Sequence, residues 1–392
     1  MAQRVIIIKY GEIGLKKRNR HVFEDLLIDN IKRRLLPLEP KVYKTFGRLY
    51  VEDYEPSLES HILDSLKDVF GIIELSAGIR VALDPELKRA KEAAVEVMAE
   101  IAETGVITFK VETNRSNKGF KVKSPEVSRL VGGYILHHIE GFKVEVHHPQ
   151  RILNIEIREK IYLYVRSIRG IGGLPYGGGG KGLLLLSGGF DSPVAGFLMA
   201  RRGVEITALH FHAYPFTSHQ AREKIYDLCE SLAGYTGEIT LYCVNLLGIQ
   251  NQIKKHCDSK YATVINRRFM MRIAEKLVLK TGAGAIITGD NIAQVASQTM
   301  EGLSVVSDAV KTVIFRPLIA YDKLDIISKA REIGTHDISI RPFEDACTVF
   351  LPPKVVTRPE LGDVLREEEV LAVEALVEGA LVTLEEKHFK KW

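Results

Sequence analysis

Leu183-Leu184-Leu185-Leu186-Ser187-Gly188-Gly189-Phe190-Asp191-Ser192-Pro193 is the stretch on which the fold turns. Four consecutive leucines read as a central strand of a parallel sheet. Ser187-Gly188-Gly189 follows at once, where open α/β sheets bind nucleotide phosphates. Glycines let backbone N–H groups approach an anion, Ser187 and Ser192 add hydroxyl donors, and the next helix turns its positive end to the same point. Pro193 suits a first helical turn, because its missing N–H would be unpaired there anyway, and Asp191 or Ser192 can cap that helix. A plain capped strand-to-helix turn also accounts for these residues, so the flanking chain has to decide.

Downstream, apolar strand-like segments alternate with helical ones: 183–186, 194–202, 204–212, 218–232, 239–244, 262–280 and 285–288. This alternation predicts a parallel sheet covered on both faces. Immediately upstream, Gly170 to Gly182 holds eight glycines and Pro175, the composition of a flexible connection, which predicts a domain boundary. Gly177 to Gly182 superficially resembles a Walker loop. It lacks Ser or Thr after Lys181 and precedes the strand, so it reads as linker.

Two small α+β domains are expected before the boundary. The first runs through a strand at Val5–Lys9, a helix at 20–36, a strand pair around Gly47, a helix at 58–70 and a strand at 72–81. The second has a Pro85-started helix to Glu103, a strand at 106–111, a helix at 125–139 and strands at 143–147, 152–157 and 161–168. The expected division is 1–75, 76–172 and 173–392, the last ending in an acidic stretch, Glu360 to Glu386, that reads as surface helix.

With 392 residues the chain suits two or three domains. No apolar run approaches the roughly 18 residues that span a bilayer, and Met1 to Lys9 lacks the features of a signal peptide, which points to the cytoplasm. The four cysteines, 229, 243, 257 and 347, form no C-x-x-C pair, which argues against a zinc site, an iron–sulfur cluster or a disulfide framework. Net charge is only +4, but residues 1–50 carry twelve Lys or Arg against five acids, a local +7.

Taken together, Ser187–Ala195, His210-Phe211-His212, Arg267–Arg272, Thr288-Gly289-Asp290, Gln294–Thr299 and Arg341–Thr348 resemble the PP-loop ATP pyrophosphatases, and more closely the tRNA 4-thiouridine synthetase (tRNA uracil 4-sulfurtransferase) family. Lys9–Leu15, Arg115–Phe120 and Gly170–Gly177 resemble that family's ferredoxin-like and THUMP RNA-binding domains. The resemblance implies an α/β fold: a parallel-sheet PP-loop domain preceded by two α+β domains. It also implies ATP and Mg²⁺ as cofactors and tRNA as substrate. In this chemistry ATP is cleaved between its α and β phosphates, AMP is attached to the C4 oxygen of uridine 8, and sulfur then replaces that oxygen.

Carried onto this sequence, the resemblance places adenosine against Leu185, Leu186, His210, Phe211 and Gly289, with polar contacts from Arg267 and Gln298. Phosphates lie at Ser187, Gly188, Gly189, Asp191 and Ser192, with Asp191 organising Mg²⁺ or the loop. Arg316 is a further candidate. Cys347, in R-P-F-E-D-A-C-T, becomes the catalytic cysteine, a persulfide being a soft nucleophile that can be reloaded. Without the motif Cys347 would read as a buried structural thiol, Arg267 and Arg268 as a solvated helix face, and the two histidines as a strand end lacking a third metal ligand. The sequence runs to Trp392 without a rhodanese domain, leaving the sulfur donor open between a cysteine desulfurase and free sulfide. Arg115, Lys118, Lys121 and Lys123 are the expected RNA contacts. The family further implies a homodimer and a link to the thiazole of thiamine. Two other readings stand beside this one: another PP-loop RNA thiolase or amidotransferase, and an RNA-binding protein that uses ATP without catalysis.

Overall fold

The computed structural model describes residues 2–102, 105–343 and 355–392, divided into two compact units, 1–173 and 174–392.

In the first unit the elements are β1 (Gln3–Tyr10), α1 (Arg20–Arg34), β2 (Lys41–Thr45), β3 (Arg48–Glu52), α2 (Glu59–Leu66), β4 (Ile72–Val81), α3 (Lys88–Ala99), β5 (Ile107–Arg115), α4 (Ser124–His138), β6 (Phe142–Val144), β7 (Arg151–Ile157), β8 (Ile161–Tyr164) and β9 (Ile168–Arg169). They build one sheet in the order β2-β3-β1-β4-β8-β7-β5-β6, with β9 on β4. Val5 to Ile8 are fully buried on both faces, which is why β1 reads as an unbroken apolar run and not an alternating one. The junction between residues 75 and 76 lies inside β4, whose Gln3-to-Tyr10 partners flank one edge while β8 and β9 flank the other. A Cβ on Gly78 would sit 2.1 Å from the Leu163 carbonyl oxygen, so β4 and β8 meet where only glycine fits. The rings of Tyr50 and Tyr162 stack at 4.6 Å although β1 and β4 separate their strands in the sheet order. Two segments come out shorter than the sequence suggests. The helix expected from Pro85 starts only at Lys88, because Asp84 accepts from the backbone of Glu86 and Arg89 and holds a turn, and the strand expected at 143–147 ends at Val144.

In the second unit the elements are β10 (Lys181–Leu185), α5 (Asp191–Arg201), β11 (Glu205–His212), α6 (His219–Thr236), β12 (Glu238–Asn245), α7 (Leu247–His256), α8 (Ala262–Thr281), β13 (Ala285–Ile287), α9 (Met300–Ser307), β14 (Val313–Phe315), α10 (Lys323–Glu332), α11 (His336–Ser339), α12 (Leu361–Glu368), α13 (Val373–Leu381) and β15 (Glu385–Lys390). The sheet order is β14-β13-β10-β11-β12-β15, parallel throughout except β15. β10 comes first in the chain yet lies at the centre, so β10 and β13 flank a topological switch point, the crevice where such sheets bind ligands.

Two expectations need correction. The glycine-rich stretch is not slack chain. Gly177 and Gly179 both donate to the Gly203 carbonyl at 2.9 Å, and a Cβ on Gly179 would meet the Arg202 carbonyl oxygen at 2.9 Å. Its glycines serve close backbone approach, which composition cannot distinguish from flexibility. The acidic tail is not all helix either: after α12 and α13 it turns into β15, which closes the β12 edge antiparallel. As an edge strand it buries little except Phe389, so its charged sequence hides the strand period.

Candidate active site

The loop after β10 is held by its own hydroxyls. Ser187 N–H donates to Ser192 Oγ at 2.9 Å, Ser192 Oγ–H donates back to the Ser187 carbonyl at 3.2 Å, and the two hydroxyl oxygens lie 3.1 Å apart. Ser339 Oγ donates to the Gly189 carbonyl at 3.3 Å. The result is a loop fixed at the N-terminal, positive end of α5, where an anion is favoured. Neither Asp191 nor Ser192 caps α5 as the sequence suggested; Phe190 occupies the cap position and makes no side-chain cap bond. The Asp191 carboxylate points elsewhere. It receives Lys323 Nζ at 2.9 and 3.2 Å and Gln294 Nε2 at 3.0 Å. Lys323 also lies 5.4 Å from the Phe190 ring, which stacks on His336.

Gly289, at the end of β13, packs straight against the loop: a Cβ there would stand 2.8 Å from both the Asp191 carbonyl carbon and the Ser192 nitrogen. One residue on, Asp290 is buried between Arg267 Nη2 at 2.6 Å and Arg316 Nε at 3.4 Å, and accepts from Thr288 Oγ1 at 2.9 Å. Burial alone would raise its pKa, but Arg267, the Thr288 hydroxyl and Arg316 outweigh it and hold the carboxyl below the usual range. Gln298 Nε2 reaches Asp290 at 3.5 Å, whereas the buried Oε1 atoms of Gln294 and Gln298 have no partner among the described residues. Orphaned buried carbonyls cost free energy unless a ligand or water supplies a donor.

The expected adenosine residues divide between the two faces of the sheet. Leu185 and Phe211 belong to the apolar cluster that includes Phe269 of α8. His210, one residue out of phase, is buried on the opposite face, with Nδ1 3.0 Å from the Leu186 carbonyl oxygen. A carbonyl only accepts, so Nδ1 carries the proton. His212 on the same face is pushed down to about 4, first by burial and then by His210 and Arg222. No cluster of three or more His, Cys, Asp or Glu suited to a metal occurs among the described residues.

Arg267 and Arg268 form no solvated face. Arg267 turns to Asp290 and the Ser297 carbonyl, while Arg268 is 1 % exposed and pairs with Glu368 at 3.0 Å and Asp308 at 3.1 Å. Cys229 and Cys243 are buried, with thiols pushed up by burial, Cys243 to about 11. Cys347 lies outside the described residues. Of the residues the sequence reading left unranked, Asp290 and Gln294 sat within quoted motifs. Lys323 carried no local signal at all, being 132 positions from Asp191.

In the first unit, Arg115 ends β5 and donates to the carbonyls of Phe120 and Val122, stapling the 116–123 loop. Arg115 and Lys118 line one cavity of about 580 Å³; Lys121 and Lys123 are exposed outside its lining.

A parallel sheet with a Ser-Gly-Gly loop and a buried Asp290 at its switch point defines a PP-loop nucleotide-binding domain, here following ferredoxin-like and THUMP α+β segments. The profile of the thiamine biosynthesis protein (ThiI) family matches residues 177–373, that of the ThiI ferredoxin-like domain 5–76, and that of the THUMP domain 86–166. A probable tRNA sulfurtransferase of Alkaliphilus metalliredigens (strain QYMF) is 49% identical over 385 residues, covering 98% of this chain and 97% of its own. One from Moorella thermoacetica is 46% identical over 383 residues, covering 97% and 96%. The crystal structure of a 4-thiouridine synthetase–RNA complex with bound ATP superposes with a TM-score of 0.90 at 38% identity, covering 99% of this chain and 100% of that one. The chain belongs to the ThiI family.

Proposed function

We propose that this protein is an ATP-dependent tRNA sulfurtransferase that converts uridine 8 of tRNA to 4-thiouridine. The observation that carries the reading is the loop Ser187–Ser192, fixed at the positive end of α5 with Lys323 beside it. It is joined by membership of the ThiI family and by the likeness to an ATP-bound 4-thiouridine synthetase–RNA complex.

The loop and Lys323 receive the triphosphate, and adenosine lies over the strand ends of β10 and β11. Gln298 Oε1 and Gln294 Oε1 accept hydrogen bonds from the nucleotide or its water. Arg267, aimed by Asp290, neutralises phosphate charge. The C4 oxygen of the uridine attacks the α-phosphorus, the bond between the α and β phosphates breaks, and pyrophosphate leaves. Fixed donors act where charge builds up in that step, each typically worth about 100- to 1,000-fold in rate. Mg²⁺ bound with the phosphates would neutralise part of that charge. Asp191 supplies hard oxygen ligands of the kind it takes, at present shared with Lys323 and Gln294. Sulfur then attacks C4 and AMP leaves with the oxygen. The outer sulfur of a persulfide on Cys347, received from the persulfide of a cysteine desulfurase, makes that attack. A second thiol then attacks the Cys347 sulfur, breaking the S–S bond, releasing 4-thiouridine and leaving a disulfide that a thiol reductant reopens; free sulfide, already at the reduced level, attacks C4 directly without Cys347. The same reading includes a cytoplasmic homodimer and sulfur supply for the thiazole of thiamine.

The test is incubation with ATP, Mg²⁺, a sulfide source and unmodified tRNA, assaying AMP and 4-thiouridine in the digested RNA for wild type, Asp191→Ala and Cys347→Ser. Thiolated uridine that requires ATP and disappears in Asp191→Ala is the expected result, and Cys347→Ser then shows whether sulfide bypasses the persulfide. Binding of tRNA with neither product under any sulfur source would leave the non-catalytic RNA-binding reading in its place.

A further inference from the structure

On the sheet face of the second unit that carries His210 and His212, the loop joining β11 to α6 helps enclose a cavity of about 250 Å³. The loop is stitched in place. Ala213 N–H donates to Thr217 Oγ1 at 3.3 Å, and Asn245 Nδ2, at the end of β12, donates to the Tyr214 carbonyl at 3.1 Å. Tyr214 lines the cavity while 65 % exposed, so its ring stands at the mouth. His212, also in the lining, is neutral at physiological pH, because burial and then His210 and Arg222 push its pKa down to about 4. Its Nδ1 accepts from the Tyr214 N–H at 3.3 Å, so the proton of the neutral ring sits on Nε2. That Nε2–H is buried with no hydrogen-bond partner among the described residues. An unpaired buried donor costs free energy that a bound carbonyl oxygen would recover.

Arg222 and Glu385 in the lining pair with each other and cancel, which suits an uncharged ligand better than a phosphate. The volume is below the roughly 300–1,000 Å³ of drug-sized sites, the scale of a single ring. Two walls lead to the chemistry. His210 holds its Nδ1 3.0 Å from the carbonyl oxygen of Leu186, the residue before the Ser187–Ser192 loop. Ser218 caps α6 by accepting from Ala221 N–H at 3.1 Å, and further along that helix Lys224 Nζ donates to the Arg341 carbonyl at 3.0 Å while Asp227 accepts from the Arg341 guanidinium. Arg341 opens the R-P-F-E-D-A-C-T segment that contains Cys347. The cavity therefore lies between the strand end that feeds the loop and the helix that anchors the cysteine-bearing segment.

We propose that this cavity receives the uracil ring to be thiolated, turned out of the RNA, with Tyr214 stacked on its face and the His212 Nε2–H bonded to a ring carbonyl. The proposal rests on the thiolation reading above and adds to it a site for the acceptor base. An enzyme that works on a base has to take it out of the stack, and an aromatic face combined with a donor to the base edge is a recurrent way to hold it. Leu185 and Phe211 lie on the other face of the sheet, which leaves adenosine and uracil separate places.

The experiment follows single turnovers of the full chain on unmodified tRNA with ATP, Mg²⁺ and free sulfide, so that Cys347 is bypassed, alongside tRNA binding by anisotropy and ATP binding by calorimetry. Tyr214→Ala should slow 4-thiouridine formation by about 5- to 150-fold with both affinities unchanged, and Tyr214→Phe should restore the rate. His212→Phe, which keeps a ring and removes the donor, should slow it at least about fivefold. A second measurement irradiates the product complex with near-ultraviolet light, in which 4-thiouridine cross-links to the groups it touches; the adduct is expected on the peptide 210–222. Unchanged rates in both Tyr214→Ala and His212→Phe, a rate loss accompanied by equal loss of ATP or tRNA affinity, or an adduct confined to other peptides overturns the site. Wild type that forms no 4-thiouridine with sulfide overturns the thiolation reading itself.

Discussion

Asp290 concentrates the electrostatics of the candidate nucleotide site in one carboxylate. It stands between two guanidiniums in a buried position, where each charge is tolerable only because the others are present. Replacing it by Asn leaves Arg267 and Arg316 facing a neutral amide. The expected cost is about 3–5 kcal/mol in urea unfolding, with weaker ATP binding because Arg267 loses its aim. The sign of the pH dependence follows from the lowered pKa. The stabilisation is fully present above the unfolded carboxyl value near 3.9 and is lost as pH falls through the lower folded value, so Asp290→Asn should flatten the acid limb of the stability profile. Acid titration of unfolding free energy for both proteins checks this. An acid limb as steep in the variant as in wild type would mean that Asp290 does not set it.

Among the elements, β10 with α5 and the end of β13 act as one part. What joins them is the absence of a side chain at Gly289, with the loop backbone closer than any Cβ tolerates. Gly289→Ala should therefore push Asp191 and Ser192 outward and weaken ATP binding at least about tenfold, measured by calorimetric titration, since displacements of about 1 Å from a productive geometry cost on the order of 100-fold in rate. Retained ATP affinity would mean the loop is set by its serine ring alone. The strand–loop–helix itself was legible in the sequence. Four leucines, two glycines and Pro193 fall within the single stretch 183–193, and their conformations are dictated locally. The charged β15 was not, because an edge strand has one solvent-facing side and little apolar signal to give.

For the whole molecule, the basic excess in residues 1–50 overstates the charge available to RNA. Arg4, Lys9, Arg20, Lys44 and Arg48 are each paired with a carboxylate. Exposed cations such as Lys118 and Lys123 remain, and changing both to Ala should reduce the log–log salt slope of tRNA binding by about 0.7–0.9 for each phosphate no longer neutralised. An unchanged slope rejects them. The sequence by itself determined the parallel-sheet class, the strand–loop–helix around Ser187–Ser192 and the family resemblance, because periodicity, turn chemistry and contiguous motifs act over a few residues. Only the tertiary structure decided that Lys323 meets Asp191, that Arg268 and Arg272 lock onto Glu368, and that Gly78 of β4 packs against the Leu163 carbonyl of β8. Those pairings join positions about a hundred residues apart, or strands separated in the sheet, and are set by strand order and packing, which no local pattern of residues encodes.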